Sequence, residues 1–339
     1  MTRVWRRILR LLRGRASRRG ASWISDLSAR FSQTQVLIRV FYAYVLVLAA
    51  FSIPEFGSLA QPRELSLLWP VAWIDAVEPI RGIRFVTGFF LAASLAGAIW
   101  PGPRLLRVAA FVGLLCFVAL KNSEGKIGHS LHLPVLVALA FVFLPQGWQR
   151  PDASRLIRMS LLQVFAATQV LLLLTYTMSG LGKLGGGLYE WFSGQAHPFQ
   201  IDGFSRIVAE RLLQTNSSSV LGRWIIDHPW LGWPLLPGAI YLQTTSVIAA
   251  FRPSLHRWWG VALIVFHVGN AFILTINFPH SIFLLGLFLL ASPFAPAGFD
   301  ARQILADLPI LSVFSRVTSW HSMVPVTAPT SRNIDGSAR

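Results

Sequence analysis

The sequence predicts an all-α membrane protein, a polytopic transmembrane helical bundle of about eight spans with both termini cytoplasmic. Three observations predict it. The 339 residues are 54% hydrophobic with a mean hydropathy of +0.55. Apolar runs of membrane-spanning length recur along the chain, and the net charge of +16 falls on one side of them. Cys116 is the one cysteine, which excludes a disulfide within the chain and a Cys-ligated metal site.

The apolar segments divide the chain into three regions. Residues 1–35 form a basic, amphipathic, cytoplasmic N-terminal segment. Residues 36–296 form the transmembrane domain, which includes a long outer segment at 182–234. Residues 297–339 form a cytoplasmic tail that we expect to be partly disordered. The eight predicted spans cover residues 36–54, 83–100, 106–120, 130–145, 157–181, 235–251, 258–277 and 280–296.

The sign of the charge on each side of the spans predicts the topology. With the N-terminus inside, the inner segments carry 21 Arg against five Asp, whereas the outer segments carry as many bases as acids. This is the positive-inside bias of a plasma membrane protein, here a multi-pass protein of the bacterial inner membrane. The basic residues therefore indicate contact with the anionic inner leaflet of the lipid bilayer, and they do not indicate nucleic acid.

The sequence pattern predicts further, shorter helices at the N-terminus and in the outer segment. Within residues 1–20, eight Arg and a row of apolar residues predict a basic amphipathic helix on the inner leaflet. In the outer segment, Asp202 and Ser217 are candidate N-caps for short amphipathic helices at about 203–215 and 218–228. We expect these two helices to lie on the outer membrane face.

Lys183 is the leading candidate for chemistry. It follows the apolar run of the fifth span, and it is one of only three Lys in a chain with 27 Arg. A desolvated ammonium can lose its proton, whereas a guanidinium effectively cannot, so Lys183 is a candidate base. The alternative is a lysine that snorkels to the interface. The surrounding Gly180, Gly182 and 185–187 either permit close helix packing or end the helix, or they let a ligand approach the backbone.

Polar residues recur at helical spacing within two of the spans. Gln169 and Tyr176 lie on the same face of the fifth span as Lys183, because the three are seven residues apart. His267 and Asn270 share a face of the seventh span in the same way. In lipid such groups point into the bundle or into a wet cavity. The alternative to a ligand site is hydrogen bonding between helices without chemistry.

His129 and His132 lie three residues apart at the outer end of the fourth span. Two His at this spacing could bind a metal, handle protons or simply sit at the interface. No acidic residue stands nearby within a span, and we expect no metal.

The residues around Lys183 resemble a known family. The segment Ser-Gly-Leu-Gly-Lys183-Leu, followed by Trp191-Phe-Ser-Gly, is similar to the vitamin K-dependent γ-glutamyl carboxylases and to the wider bacterial HTTM, or carboxylase-like, membrane domain. His267-Val-Gly-Asn270 and Gly128-His129-Ser are weaker matches. The chain departs from the family at the residue before Lys183, where the family has another lysine and this chain has Gly182.

The resemblance implies a membrane-embedded oxidoreductase or carboxylase-like lyase. Lys183 would be the base that starts oxidation of a reduced quinone, a vitamin K-like hydroquinone, and His129 would support the intermediate. A peptide would be the second substrate. The residues expected to line the cofactor site are Tyr176, Gln169, His267, Asn270 and Trp191.

A second function remains open on the sequence. The chain could be a non-catalytic accessory subunit that packs against a partner membrane protein or helps to mature a peptide. In that case the outer segment 182–234 and the exposed apolar faces would be its working surfaces. Substitution of Lys183 by Arg separates the two hypotheses, because it keeps the charge and removes the base.

Overall fold

The computed structural model describes residues 27–54, 66–125, 127–298 and 300–309, and within these ranges the regular structure is entirely helical. The amphipathic helix predicted within residues 1–20 and most of the tail predicted from residue 297 lie outside them. The helices are α1 (Leu27–Phe51), α2 (Pro79–Ile99), α3 (Arg104–Asn122), α4 (His132–Phe141), α5 (Arg155–Phe192), α6 (Gly203–Gln214), α7 (Val220–Asp227), α8 (Pro229–Gly232), α9 (Leu235–Thr244), α10 (Ser246–Ala250), α11 (His256–Leu274), α12 (Pro279–Leu285) and α13 (Ala301–Asp307).

Five helices in the described ranges are long and apolar enough to cross a membrane, namely α1, α2, α3, α5 and α11 together with the 3-10 turn that precedes it. The other three predicted spans form broken or short helices. Helix α4 has 10 residues, α9 and α10 are separated at Thr245, and α12 continues into a π-helical turn at Gly286–Leu290. Hydropathy finds apolar segments, but it does not detect where the backbone departs from the α-helix.

Aromatic side chains fill the core of the bundle. Phe90 of α2 stacks on Phe117 of α3 with ring centroids 5.0 Å apart. Phe41 of α1 meets Phe141 of α4 edge to face at 5.1 Å, and Phe288 lies against Phe141 at 6.0 Å. All five rings are fully buried. Because lipid is as apolar as these side chains, close packing rather than transfer from water stabilises such contacts in a membrane.

Helix α5 is longer than the sequence pattern predicts. The apolar run ends at residue 181, yet the helix continues through the glycines to Phe192 and contains 38 residues. At 1.5 Å per residue it is roughly 57 Å long, which exceeds the ~30 Å thickness of the hydrocarbon layer. The glycines at 185–187 therefore do not end the helix, and the last three turns of α5 extend beyond the predicted span.

Gly180 fixes the position of α9 against α5. A Cβ at this residue would lie 2.5 Å from the backbone nitrogen of Thr244 and 2.8 Å from Cβ of Gln243. One turn earlier on α5, the backbone N–H of Val247 donates to Oγ1 of Thr177 at 2.9 Å. Only glycine allows the two backbones to approach this closely, so the crossing places Gln243 beside α5.

The outer segment contains the two short helices that its sequence predicts, α6 and α7. Their starts differ in detail, since Ser219 rather than Ser217 caps α7 by accepting a hydrogen bond from Gly222 N at 2.8 Å. Ser217 instead pairs with the hydroxyl of Thr275, 3.0 Å away, at the end of α11. Ser219 also donates to the carbonyl of Phe272. These bonds satisfy polar groups at the C-terminal end of α11 and attach the outer segment to it.

Gly180→Ala should lower the midpoint of thermal unfolding in detergent, because overpacking at a tight contact costs about 1–3 kcal/mol. Gly185→Ala is the matched control on the same helix, since nothing lies within 4 Å of an added Cβ there. Alanine is the better helix former, so this control should be neutral or stabilising by up to about 1 kcal/mol. Equal effects at the two positions would show that the α5–α9 crossing is looser than described.

Candidate functional site

Lys183 lies in the C-terminal third of α5, is exposed, and is held by two neutral oxygen atoms. Its Nζ donates to Oγ of Ser179 at 2.8 Å and to Oε1 of Gln243 at 3.0 Å. Gln243 is 3% exposed, and the close crossing at Gly180 brings it to this position. Across the described ranges no carboxylate lies within ion-pair distance of Lys183. The ammonium is therefore oriented without being neutralised.

Tyr176 and His267 form a buried pair two turns before Lys183 on α5. The tyrosine hydroxyl lies 2.7 Å from Nε2 of His267, and the side chain of Ser281 on α12 also contacts it. The tyrosine is 6% exposed and the histidine 5%. The pair thus joins α5, α11 and α12, and the charge of Lys183 acts on His267 from the same end of the bundle.

The second ring nitrogen of His267, Nδ1, is buried and has no hydrogen-bond partner. It is a free donor when Tyr176 donates to Nε2, and a free acceptor when Nε2 itself donates. Either state costs about 1–3 kcal/mol in a buried site. A ligand atom or a water at Nδ1 would remove this cost, so His267 presents an unused polar group beside the Lys183 site.

One flank of Lys183 is open. A Cβ added at Gly182 or Gly186 would meet nothing within 4 Å. By helical geometry Gly186 and Ser179 lie on the same side of Lys183, and Gly182 lies further round that side. The missing side chains leave the surface of α5 uncovered next to the ammonium, and this exposed strip at Gly182 and Gly186 is called the groove below.

Gln169 belongs to a different part of the molecule. Its Nε2 donates to the carbonyl of Phe288 at 2.6 Å and to Oγ of Ser292 at 3.0 Å, and Ser292 is bonded in turn to His256 at 2.8 Å. The Phe288 carbonyl lies in the π-helical turn that follows α12. Gln169 is about 21 Å from Lys183 along α5. The structure places it in an interhelical tie, away from the Lys183 cluster.

Asn270 and Trp191 lie on either side of the cluster. Asn270 is one turn beyond His267 on α11 and partly exposed, and its side-chain amide has no hydrogen bond within the described chain. Trp191 lies at the end of α5, about 12 Å beyond Lys183 along the helix. It is 54% exposed and stacks on His197 with ring centroids 5.3 Å apart. Asn270 is therefore available to a ligand, whereas Trp191 packs with the outer segment.

His129 is paired with His132 instead of with Lys183. Their Nδ1 atoms are 3.4 Å apart, and the 3-10 turn that carries His129 packs against α12. In the described ranges no hydrogen bond or ring contact joins His129 to Lys183. The same ranges contain no group of three His, Cys, Asp or Glu that could hold a metal.

Three residues of the cluster have no role in the predictions from sequence. Gln243 is an amide within an apolar segment, but it lies on another helix, 60 residues from Lys183, so the sequence does not show that the two are in contact. Ser179 lies one turn before Lys183, and a serine at this position is common at helix contacts. Ser281 lies on a helix whose register against α5 follows only from packing. These three contacts depend on which helices are neighbours.

No family model, curated protein or solved structure matches this chain. The resemblance of the Lys183 segment to the carboxylases therefore stays a prediction. Assignment of a function depends on the chemistry of the Lys183 cluster.

Gln169→Leu should lower the free energy of unfolding by about 1–3 kcal/mol, because it leaves the Phe288 carbonyl and Ser292 without their donor. Thermal unfolding in detergent measures the change. Gln163→Leu on the same helix is the control, since Gln163 is exposed and should tolerate the substitution. If both variants unfold alike, the tie between α5 and the turn after α12 contributes nothing to stability.

Proposed function

We propose that the chain crosses the bacterial inner membrane eight times, with both termini inside. The alternation of apolar segments and the one-sided basic charge support this topology. Two contacts support the antiparallel passage of α12 beside α1. Gln33 near the start of α1 donates to the carbonyl of Ala291, and Tyr44 further along α1 bonds to His280 at the start of α12. Short segments can cross when neighbouring helices enclose their ends.

We further propose that the protein is an enzyme in which Lys183 takes a proton from a lipid-soluble quinol. The observation that carries this proposal is the environment of Lys183, which has two neutral hydrogen-bond acceptors and no described carboxylate. A structural lysine is commonly paired with an acid. An unpaired one at the edge of an apolar layer loses its proton more readily, as a general base must.

The chain's own residues suit a flat phenolic ligand. Gln243 and Ser179 hold Nζ in a fixed direction, and the open flank at Gly182 and Gly186 leaves space beside it. A quinol bound there would donate one hydroxyl proton to the neutral Nζ, and its two electrons and second proton would pass to an oxidant, for which the resemblance implies dioxygen. The groove opens towards the surface of the bundle, so an apolar ligand could enter from the bilayer.

We assign the second polar contact to His267 and not to His129. Nδ1 of His267 is buried without a hydrogen-bond partner, and Tyr176 fixes the ring. Asn270, with its unpaired amide, could bind a ligand oxygen beyond it. The resemblance implies that His129 supports the intermediate of quinol oxidation. This is a separate hypothesis, because it requires the turn at residues 129–131 to lie at the same site as Lys183.

A second candidate function is an accessory subunit for a partner membrane protein or for peptide maturation. The observation that favours it is the outer end of α5, where Tyr189 and Phe192 are 70% and 85% exposed. Large exposed aromatic residues beyond the apolar layer are typical of contact surfaces. In this alternative Lys183 orients α5 and performs no chemistry.

The ligand is tested by mass spectrometry of lipid extracts from gently purified protein. Wild type should retain a quinone or quinol, and Lys183→Ala should retain much less, because the variant removes the polar contact at the groove. Lys121→Ala, on α3, controls for loss of a positive charge. Bulk phospholipid alone in all three samples, with a co-purifying protein, would favour the accessory subunit instead.

The base is tested with Lys183→Arg, which keeps the charge. Oxygen consumption with an added naphthoquinol should fall by about 10²–10⁴-fold, the usual contribution of a positioned general base. Lys121→Arg should retain wild-type turnover. Unchanged turnover in Lys183→Arg would rule out Lys183 as the base, even if the ligand is still bound.

A further inference from the structure

A cavity of about 470 Å³ lies at the end of the bundle opposite to Lys183. It is formed where the turn between α2 and α3 meets the turn that follows α4. Arg104, Gln149 and Arg150 contribute its polar lining, and Leu105 contributes an apolar edge. By the positive-inside bias this is the cytoplasmic end, although the chemistry of the cavity does not depend on that assignment.

The lining is cationic and has no acid to balance it. Arg104 and Arg150 are exposed, and neither forms an ion pair within the described ranges. Behind them Arg107 is fully buried. It lies one turn after Arg104 on α3, so the two positive charges are neighbours on that helix. An anion in the cavity would offset these charges, and the N-terminus of α3, which begins at Arg104, would add to the attraction.

Arg107 also stabilises the backbone of the cavity. Its guanidinium donates to the carbonyls of Pro101 and Gly102 and, at 2.7 Å, to that of Leu144. These bonds tie the two turns together. Its Nε is buried with no hydrogen-bond partner. Arg107 does not line the cavity itself, but it fixes the two turns that do and adds a buried positive charge behind them.

An apolar surface borders the charged lining. Leu105 is 76% exposed and Phe143 is 61% exposed, and the guanidinium of Arg104 lies 5.9 Å from the centre of the Phe143 ring. Exposed apolar residues at the end of a membrane helix face lipid chains. A ligand that bears an anion at one end and hydrocarbon at the other fits both surfaces at once.

We propose that this cavity binds a phosphate group through Arg104 and Arg150, and that the group belongs to an anionic phospholipid of the adjacent leaflet. The planar guanidinium groups match phosphate oxygens two at a time, and the amide of Gln149 supplies a further donor. The acyl chains lie along Leu105 and Phe143. Free inorganic phosphate has the same chemistry, and the experiment separates the two sources. The proposal does not depend on the function of Lys183.

The test is native mass spectrometry of full-length protein in detergent, titrated with phosphatidylglycerol, with phosphatidylcholine or with inorganic phosphate. Arg104→Gln and Arg150→Gln should each weaken phosphatidylglycerol binding by about tenfold, the effect of losing one charge-assisted contact. Arg155→Gln is the matched control, since Arg155 is exposed at the same end of the bundle and does not line the cavity. Unchanged thermal unfolding confirms that the variants are folded.

Each outcome decides the proposal. Selective loss of phosphatidylglycerol in the two cavity variants, with wild-type binding in Arg155→Gln, supports the lipid site. Binding of inorganic phosphate that the same variants abolish, without selectivity for phosphatidylglycerol, supports the phosphate site and overturns the lipid as its source. Equal weakening in all three variants, or no weakening in any, overturns the site, because binding would then reflect only overall charge.

Discussion

A polar group between apolar helices must find its partner within the protein, since neither lipid nor a dry core supplies one. This constraint determines how the bundle is held together. The Gln169 amide binds the carbonyl that the π-helical turn leaves free, and Arg107 binds carbonyls of two neighbouring turns. The Thr177 hydroxyl accepts the N–H of Val247 in the first turn of α10. Because lipid weakens the hydrophobic drive between helices, such ties and close packing set which helices are neighbours.

The same constraint distinguishes structural polar groups from candidate functional ones. The Gln169 amide donates to two oxygens and lies in a closed network. His267 is as deeply buried, yet one of its nitrogens is unpaired. Lys183 is exposed, and Gln243 and Ser179 orient its ammonium without a described counter-charge. A buried polar atom without a hydrogen-bond partner, such as Nδ1 of His267, lowers the stability of the protein. A polar ligand that bonds to this atom removes the penalty when it binds.

The two ends of the bundle differ in the charge that they present. Lys183 at one end is surrounded by neutral polar groups and small residues, which suits an apolar, weakly acidic ligand. At the other end Arg104 and Arg150 line one cavity whose described lining contains no acid, which suits a phosphate. The difference follows from the distribution of Arg along the sequence, since the predicted topology assigns nearly all of the unbalanced charge to turns on one side. The two sites are far apart and can be tested separately.

The sequence by itself determined the helical membrane class, the apolar segments and the short helices α6 and α7, and it singled out Tyr176, Lys183 and His267 as polar residues within or beside apolar runs. These follow from composition and local periodicity. Only the tertiary structure decided that α5 continues to Phe192, that Gln243 is the partner of Lys183, and that Gln169 and His129 lie in other contacts. Each of these depends on which helices cross and at what height. Close contacts between helices set these crossings. At Gly180, for example, the short distance between α5 and α9 makes the two helices neighbours, and no residue pattern within either helix predicts it.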